Sequence, residues 1–571
     1  MLVYFAVGAY AGRKVKHLED YFVAGRQAPT LLIVGTLVAS LMSTNAFMGE
    51  TGQAYAGYPT IILMLTAFNC IGYTAGALFF GRFLRRSRAL TVAEYFGKRF
   101  VSRRVQSVAG ISIVLGLTGY LVMVTQGTAT IVHNVTGLSF ELALLLTWSG
   151  YTLFTLYSGS RGVVLTDTMM FLLFATVALL GLSFIVQEAG GWFTTIRELA
   201  TLEAKPEIIS WHGMIGEGAQ YSTAADAMIY AIILGFAWGV VVAVSPWQAS
   251  RYLMAKDEHT VIRSAAMTAG AIMILYSVLV LSGASINLLN PSIEPAQENM
   301  IWAAMNVMPA VVGVLLMSGI MAAGLSSATT FLSLVGFSLS HDIVSSTDAD
   351  DQHHLRMSRW AMLAVSLTAL VIAGFVPQGN IFWITYFVGT LYASSWGPVA
   401  FMSVWSKRIT EGAAFWGIIS GLLGNAVARA LSMLGYVDLP VYFHPIVIGA
   451  VLSYLTIEIV ISRGMVSPEE HQLRERLHEV PDSEIDPSRL RVTLLCAKAI
   501  ISLGILFSVL LIVFYALPYQ RATGGVFGGE IVMSLGIGFA LVATGVLAWW
   551  GAVHSYSRHI AAPAAAAKQT D

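Results

Sequence analysis

Charge is what this chain has least of. Of its 571 residues 11% are charged and 56% are apolar, whereas an ordinary soluble domain is roughly a quarter charged. That scarcity excludes a water-soluble core as the main architecture. Neither sign dominates the charges that remain: 32 basic and 32 acidic side chains give a net charge of zero. No global field therefore argues for nucleic acid or a polyanionic partner. Cysteine is nearly missing too. Cys70 and Cys496, the only two, both fall in apolar stretches, which argues against a disulfide framework or a thiolate metal site and leaves them packing roles. His133, His341, His353 and His354 have no ligand spacing supported by nearby carboxylates, so no zinc or copper centre is expected. No set of nucleophile, base and orienting group lies at membrane depth, so the chain does not read as an enzyme.

What is present is apolar length. Stretches of about 20 residues, each able to cross a hydrocarbon core of roughly 30 Å as a helix, recur along the chain. They read as an all-α integral membrane protein of about fourteen spans, in a multi-pass cell-membrane location with the lipid bilayer as solvent. Placing the basic segment 81–106 in the cytoplasm and alternating sides puts about 27 of the 32 Lys and Arg residues inside, as the positive-inside rule requires. Arg197, Lys205 and Arg521 fall outside, and Arg429 and Lys498 lie within spans, where snorkelling toward the interface accounts for them. The opening MLVYFAVGAYAGRKVK has no signal-peptide pattern and is too short to span, so residues 1–30 read as a truncated first helix and a cytoplasmic loop.

Residues 31–187 and 227–405 each contain five expected helices and enter from opposite sides, which permits an inverted repeat. Between them, 188–226 is an external segment that either forms a short interfacial helix or is an ordinary loop. Further spans occupy 406–552, interrupted by a polar cytoplasmic stretch (462–491) with a surface helix, and 553–571 reads as a disordered tail. The first helix of each half carries an interruption: SLMSTN in one, GFAWGVVVAVSP in the other. Matched breaks of this kind point to a binding site where the repeats meet.

Two polar clusters sit at membrane depth. In GTLVASLMSTNAFMGETG, the residues Ser40, Ser43, Thr44 and Asn45 either mediate helix packing or mark local unwinding that frees backbone carbonyls for a small cation. In the long helix LLMSGIMAAGLSSATTFLSLVGFSLSHDI, Ala323 precedes Ser326 by three residues and Ser327 by four. A carbonyl and two hydroxyls thus share one patch of helix surface, and such a turn serves either packing or ion binding. Asp167 reads as an N-cap opening the TDTMMF helix. Arg251, in SPWQASRYLMA, reads as an interfacial anchor or a cytoplasmic salt-bridge partner.

The segments YFVAGR (21–26), ALTVAEYFGKRF (89–100), VVLTDTMMF (163–171) and AGLSSATTFLSLVGFSLSHDI (323–343) resemble the sodium:solute symporter family. The resemblance implies a LeuT-type five-plus-five inverted repeat with flanking helices. It implies a sodium ion held by the carbonyls of Ala39, Met42 and Ala323 and the hydroxyls of Ser326 and Ser327, and it draws Asp167 into the ion path. Where the family usually has paired glycines, this chain has Ser160 and Arg161. The cargo would be a small-molecule solute lying beside Ser43, Thr44 and Asn45 and facing Asn69, Trp238 and Tyr386. Sugar-transporting relatives present amide and carboxylate groups where this chain has Ala46 and Leu65, which disfavours a sugar. Proline-transporting relatives have an acidic residue and a tryptophan where it has Leu41 and Asn45. A monocarboxylate or pantothenate-like acid is the expected solute, and an amino acid of the proline type the alternative. A channel or a membrane sensor is the competing class. The oligomeric state is not legible.

Overall fold

The computed structural model describes residues 18–344, 351–525 and 528–557. The expected stub before residue 18 and most of the expected tail lie outside these residues, as do the side chains of Ser160, Arg161, His353 and His354. The helices that matter here are α1 (Thr30–Leu41), α2 (Asn45–Ala56), α3 (Pro59–Arg86), α4 (Arg103–Thr136), α5 (Phe140–Glu188), α6 (Ala224–Met254) and α7 (Glu258–Leu288). They continue with α8 (Ala310–Ile343), α9 (Asp351–Phe375), α10 (Ile381–Trp405), α11 (Glu411–Met433), α12 (Pro445–Ile461), α13 (Pro487–Thr523) and α14 (Gly529–Ser557). The last of these runs on to Ser557, five residues into the segment expected to be tail.

Among the described residues ten helices are long and apolar enough to cross a membrane, eleven with the bent pair α1 and α2. That measure stops short of the expected fourteen, because Phe140–Leu156 and α12 are shorter and α10 is not among the ten. The helix α5 is continuous over 49 residues, which would extend about 73 Å if straight, more than twice the hydrocarbon thickness. It cannot be straight. Gly150 and Tyr151 line a cavity with Gly324 and Leu325 of α8, and Asp167 bonds Ser326 one turn away. Both halves of α5, which the sequence expects as two spans, thus lie against the same part of α8.

Local chemistry sets the helix starts. Ser102, Ser139 and Asp257 accept the N–H of Val105, Leu142 and Thr260 as N-caps of α4, α5 and α7, and Thr223 with Asp226 forms a capping box on α6. Packing then relies on small residues, as it must where lipid gives no hydrophobic drive between helices. A Cβ on Gly72 of α3 would lie 2.3 Å from the Gly239 carbonyl of α6, so these two helices meet backbone to backbone. Burial separates core from periphery: 78% of the apolar window of α7 is buried, against 22% for α13.

Both membrane faces are fastened by loop elements. At one face, the helix Val92–Arg99 docks where Thr91 and Gln106 donate to buried Asp342 at the end of α8, at 2.8 and 2.9 Å. The polar stretch 462–491 carries the expected surface helix, Pro468–His478, capped by Ser467 and Glu470. At the other, the segment 188–226 contains the helix Trp192–Ala200, and Lys205 Nζ donates to the Tyr55 carbonyl near the end of α2 at 2.6 Å.

Candidate functional site

The break in the first helix is physical. The chain bends by 55° between α1 and α2. In a continuous helix the Ser43 N–H would donate to Ala39 and the Ala46 N–H to Met42. Here Ser43 donates instead to Leu41 O at 3.0 Å and Ala46 to Ser43 O at 3.1 Å, while the Asn45 N–H goes to Ser43 Oγ. The carbonyls of Ala39 and Met42 therefore lose these ladder partners at membrane depth. The second half is interrupted at the corresponding place, where Ser245 (φ −59°, ψ 147°) leaves helical geometry just before Pro246.

Two contacts bracket residues 39–42 against α8. On the α2 side of the break, a Cβ on Gly324 would come within 2.8 Å of Thr44 Cγ2, so Thr44 packs directly on α8 next to Ala323. On the other, Thr36 of α1 and Ser326 of α8 donate to the two oxygens of one carboxylate, Asp167, at 2.5 and 2.6 Å. Between these contacts lie Ala323, Ser326 and Ser327. The Ser327 hydroxyl is buried without a hydrogen-bond partner, which in a native core calls for a missing ligand, ion or water.

Asp167 departs from expectation, and Arg251 takes the salt-bridge alternative rather than the anchor, with a partner buried in the bundle. Asp167 is no N-cap: it lies inside α5, fully buried. Arg251 is no interfacial anchor, being 2% exposed in α6. Its guanidinium stands 3.5 Å from Asp167 Oδ2 and donates to Thr330 of α8. One carboxylate thus gathers α1, α6 and α8. Charges this deep persist only when paired and hydrogen-bonded.

The residues expected around the solute divide. Trp238 and Tyr386 pack ring on ring, with centroids 4.6 Å apart. Asn45 lies along the same face of α2 as Gly49, which abuts Phe382 of α10. Ser43 faces Tyr120 of α4. Thr44 turns away, wedged between Gly127 and Gly324 on the ion side. Asn69 is buried on α3 with its Oδ1 unpartnered, and no hydrogen bond joins it to the others. Sequence reasoning missed Glu50. Its carboxylate is buried in α2 and accepts the Tyr386 hydroxyl at 2.9 Å, and its second oxygen has no partner. The signal was legible as an acid within an apolar span, GETG. Thr36 was also missed, for it is an ordinary threonine until the fold brings Asp167 to it.

A helical membrane protein with this interrupted core is, by class, a secondary transporter. The chain belongs to the sodium:solute symporter family, whose family model matches residues 21–421. The sodium/pantothenate symporter of Escherichia coli (strain K12) is 26% identical over 471 residues, covering 80% of this chain and 93% of the relative. The sodium/proline symporter of the same organism is 24% identical over 456 residues, covering 76% of this chain and 87% of the relative. The solved outward-open, substrate-bound structure of a Na+-coupled sialic acid symporter matches with a TM-score of 0.69 at 20% identity, over 81% of this chain and 95% of that one. That likeness establishes the fold as LeuT-type.

Proposed function

We propose that this protein couples inward sodium movement to import of a small organic solute by alternating access, with sodium held by the carbonyls of Ala39, Met42 and Ala323 and the hydroxyls of Ser326 and Ser327. The observation that carries this reading is the pair of carbonyls released at the α1 break beside the unpartnered Ser327 hydroxyl. Neutral oxygen dipoles of this kind replace a small cation's hydration shell. An ion bridging α1 and α8 links the two repeats, stabilises one state of the cycle and so raises solute affinity through a reciprocal coupling free energy. Asp167, already bonded to Ser326, is the next station on the ion's way to the cytoplasm.

Ser43, Asn45, Trp238 and Tyr386 form the wall of the solute site in this reading, with Asn69 behind it. A monocarboxylate or pantothenate-like acid is the first solute class, supported by the pantothenate-transporting relative. An amino acid is the second, and the buried Glu50 carboxylate is the observation that favours it. Uptake into proteoliposomes tests the reading: uphill, sodium-driven accumulation of unchanged solute separates a symporter from a channel or sensor. Substituting both Ser326→Ala and Ser327→Ala should weaken the sodium dependence, and an unchanged dependence would sink the proposed ion site.

A further inference from the structure

The proposed ion site leaves Glu50, a buried acid further along the broken helix, without a role. Glu50 closes the turn Asn45–Glu50, which is wound as a π-helix, a form that recurs at functional sites. One carboxylate oxygen accepts the Tyr386 hydroxyl at 2.9 Å, and the other is buried without a hydrogen-bond partner. Tyr276 of α7 and Tyr120 of α4 also face this carboxylate. The nearby acid Glu298, in the short turn Ala296–Glu298, is directed at His133 and Asn134 of α4 instead. Among the described residues no Lys, Arg or His pairs with Glu50.

A carboxylate in this condition is costly unless a proton or a metal cation offsets it. A sodium ion needs several converging oxygens, as at the α1 break. Around Glu50 the facing groups are phenols, whose hydroxyls bond a neutral carboxyl as well as an ionised one. A proton needs only the free oxygen.

The position of the Glu50–Tyr386 bond gives that proton a consequence. The bond joins α2 of the first half to α10 of the second, and the two helices meet tightly beside it: a Cβ on Gly49 would lie 3.1 Å from Phe382 N. Tyr386 is itself held between the rings of Trp238 and Phe382, at 4.6 and 4.2 Å. A neutral carboxyl stays sealed in this contact, whereas an ionised one gains hydration only when α2 and α10 part.

We infer that Glu50 is a proton-binding site: its carboxyl holds a proton while α2 and α10 are closed on each other and gives it to water as they part. High pH therefore favours opening. The inference rests on the alternating-access reading above and adds a proton to its cycle. An acid solute brings no cation to Glu50 and leaves the proton in place, whereas a solute ammonium seated there would displace it.

The test compares the purified full chain with Glu50→Gln, whose amide copies the neutral carboxyl. Infrared difference spectra at about pH 7 should show the C=O stretch of a protonated carboxyl in the parent and not in the variant. For the opening, Phe382→Cys is introduced into both proteins and labelled with a water-soluble thiol reagent at about pH 6 and about pH 9. Labelling of Cys70 and Cys496 in the proteins without Phe382→Cys is subtracted. The rise in rate with pH should be about threefold or more larger with Glu50 in place than in the Glu50→Gln background, where only the thiol's own ionisation remains. The inference is overturned by a carboxylate band for Glu50 near neutral pH or by equal pH dependence in the two backgrounds. It is also overturned if Glu50→Gln fails to fold or loses the thermal shift produced by sodium, since a carboxyl already neutral loses little as an amide. A parent without a sodium thermal shift would instead overturn the symport reading and leave the infrared assignment standing.

Discussion

Ser326 donates to Asp167 at 2.6 Å in a fully buried site, and the same carboxylate takes Thr36 and stands 3.5 Å from Arg251. A residue of the proposed ion site is therefore hydrogen-bonded to the carboxylate of a buried ion pair, and ion occupancy and helix docking share one group. Asp167→Asn removes the charge and leaves Arg251 buried with a hydroxyl for a partner. Breaking a buried pair this way costs about 3–5 kcal/mol, read as a lower unfolding temperature in detergent. Adding Arg251→Met should restore most of that stability but not sodium-driven uptake. A single variant as stable as the parent would show that the pair does not hold the helices.

Ser326 and Ser327 should part company when replaced singly. Ser327 has no hydrogen bond to lose, so Ser327→Ala should change sodium-free stability by no more than about 0.5 kcal/mol. The sodium concentration for half-maximal uptake should nevertheless rise. Ser326→Ala gives up a bond to a carboxylate, worth about 1.5–3 kcal/mol, and should destabilise the protein even without sodium. Equal sodium-free stability of the two variants would contradict the asymmetry.

Gly324 is where α8 touches the break most closely. A Cβ there would lie 2.2 Å from Thr128 Cγ2 and 2.8 Å from Thr44 Cγ2. Gly324→Ala should cost about 1–3 kcal/mol by overpacking and should lower sodium affinity by pushing Thr44 and the broken turn away from α8. Thr128→Ser in the same chain removes the nearer methyl and should recover part of both losses. Unfolding and sodium titration of the two variants measure the coupling.

At the start of α7, burial and the neighbouring Glu258 raise the Glu484 carboxyl to about 7, although it accepts the Glu258 N–H at 3.0 Å. A carboxyl raised in the folded state contributes stability that is fully present below its ordinary value of about 4.5 and is lost as pH rises through about 7. Docking of residues 479–490 on α7 should therefore loosen between pH 4.5 and 7, visible as faster amide hydrogen exchange in that segment. Glu484→Gln should flatten the trend, and a trend unchanged in that variant would assign it to another group.

The membrane class and the two interruptions were legible because they are local. Apolar length reports the solvent of each helix, and the run Ser43, Thr44, Asn45 marks a place where the backbone ladder is weak. Family resemblance joined Ala39 and Met42 to Ala323, Ser326 and Ser327, residues about 280 positions apart. What the sequence could not display is partnership. Asp167 reads as a cap, and Arg251 as an anchor or a cytoplasmic salt-bridge partner, because neither sequence neighbourhood names the other residue. Only the fold, which lays α5 and α6 against α8, brings carboxylate and guanidinium together. Thr44 lies next to Asn45 in the chain yet faces the ion side, since successive residues of a helix point about 100° apart and the bend decides which face meets which neighbour. Glu50 acquires its meaning in the same way, as an acid in an apolar run until the Tyr386 hydroxyl is placed against it.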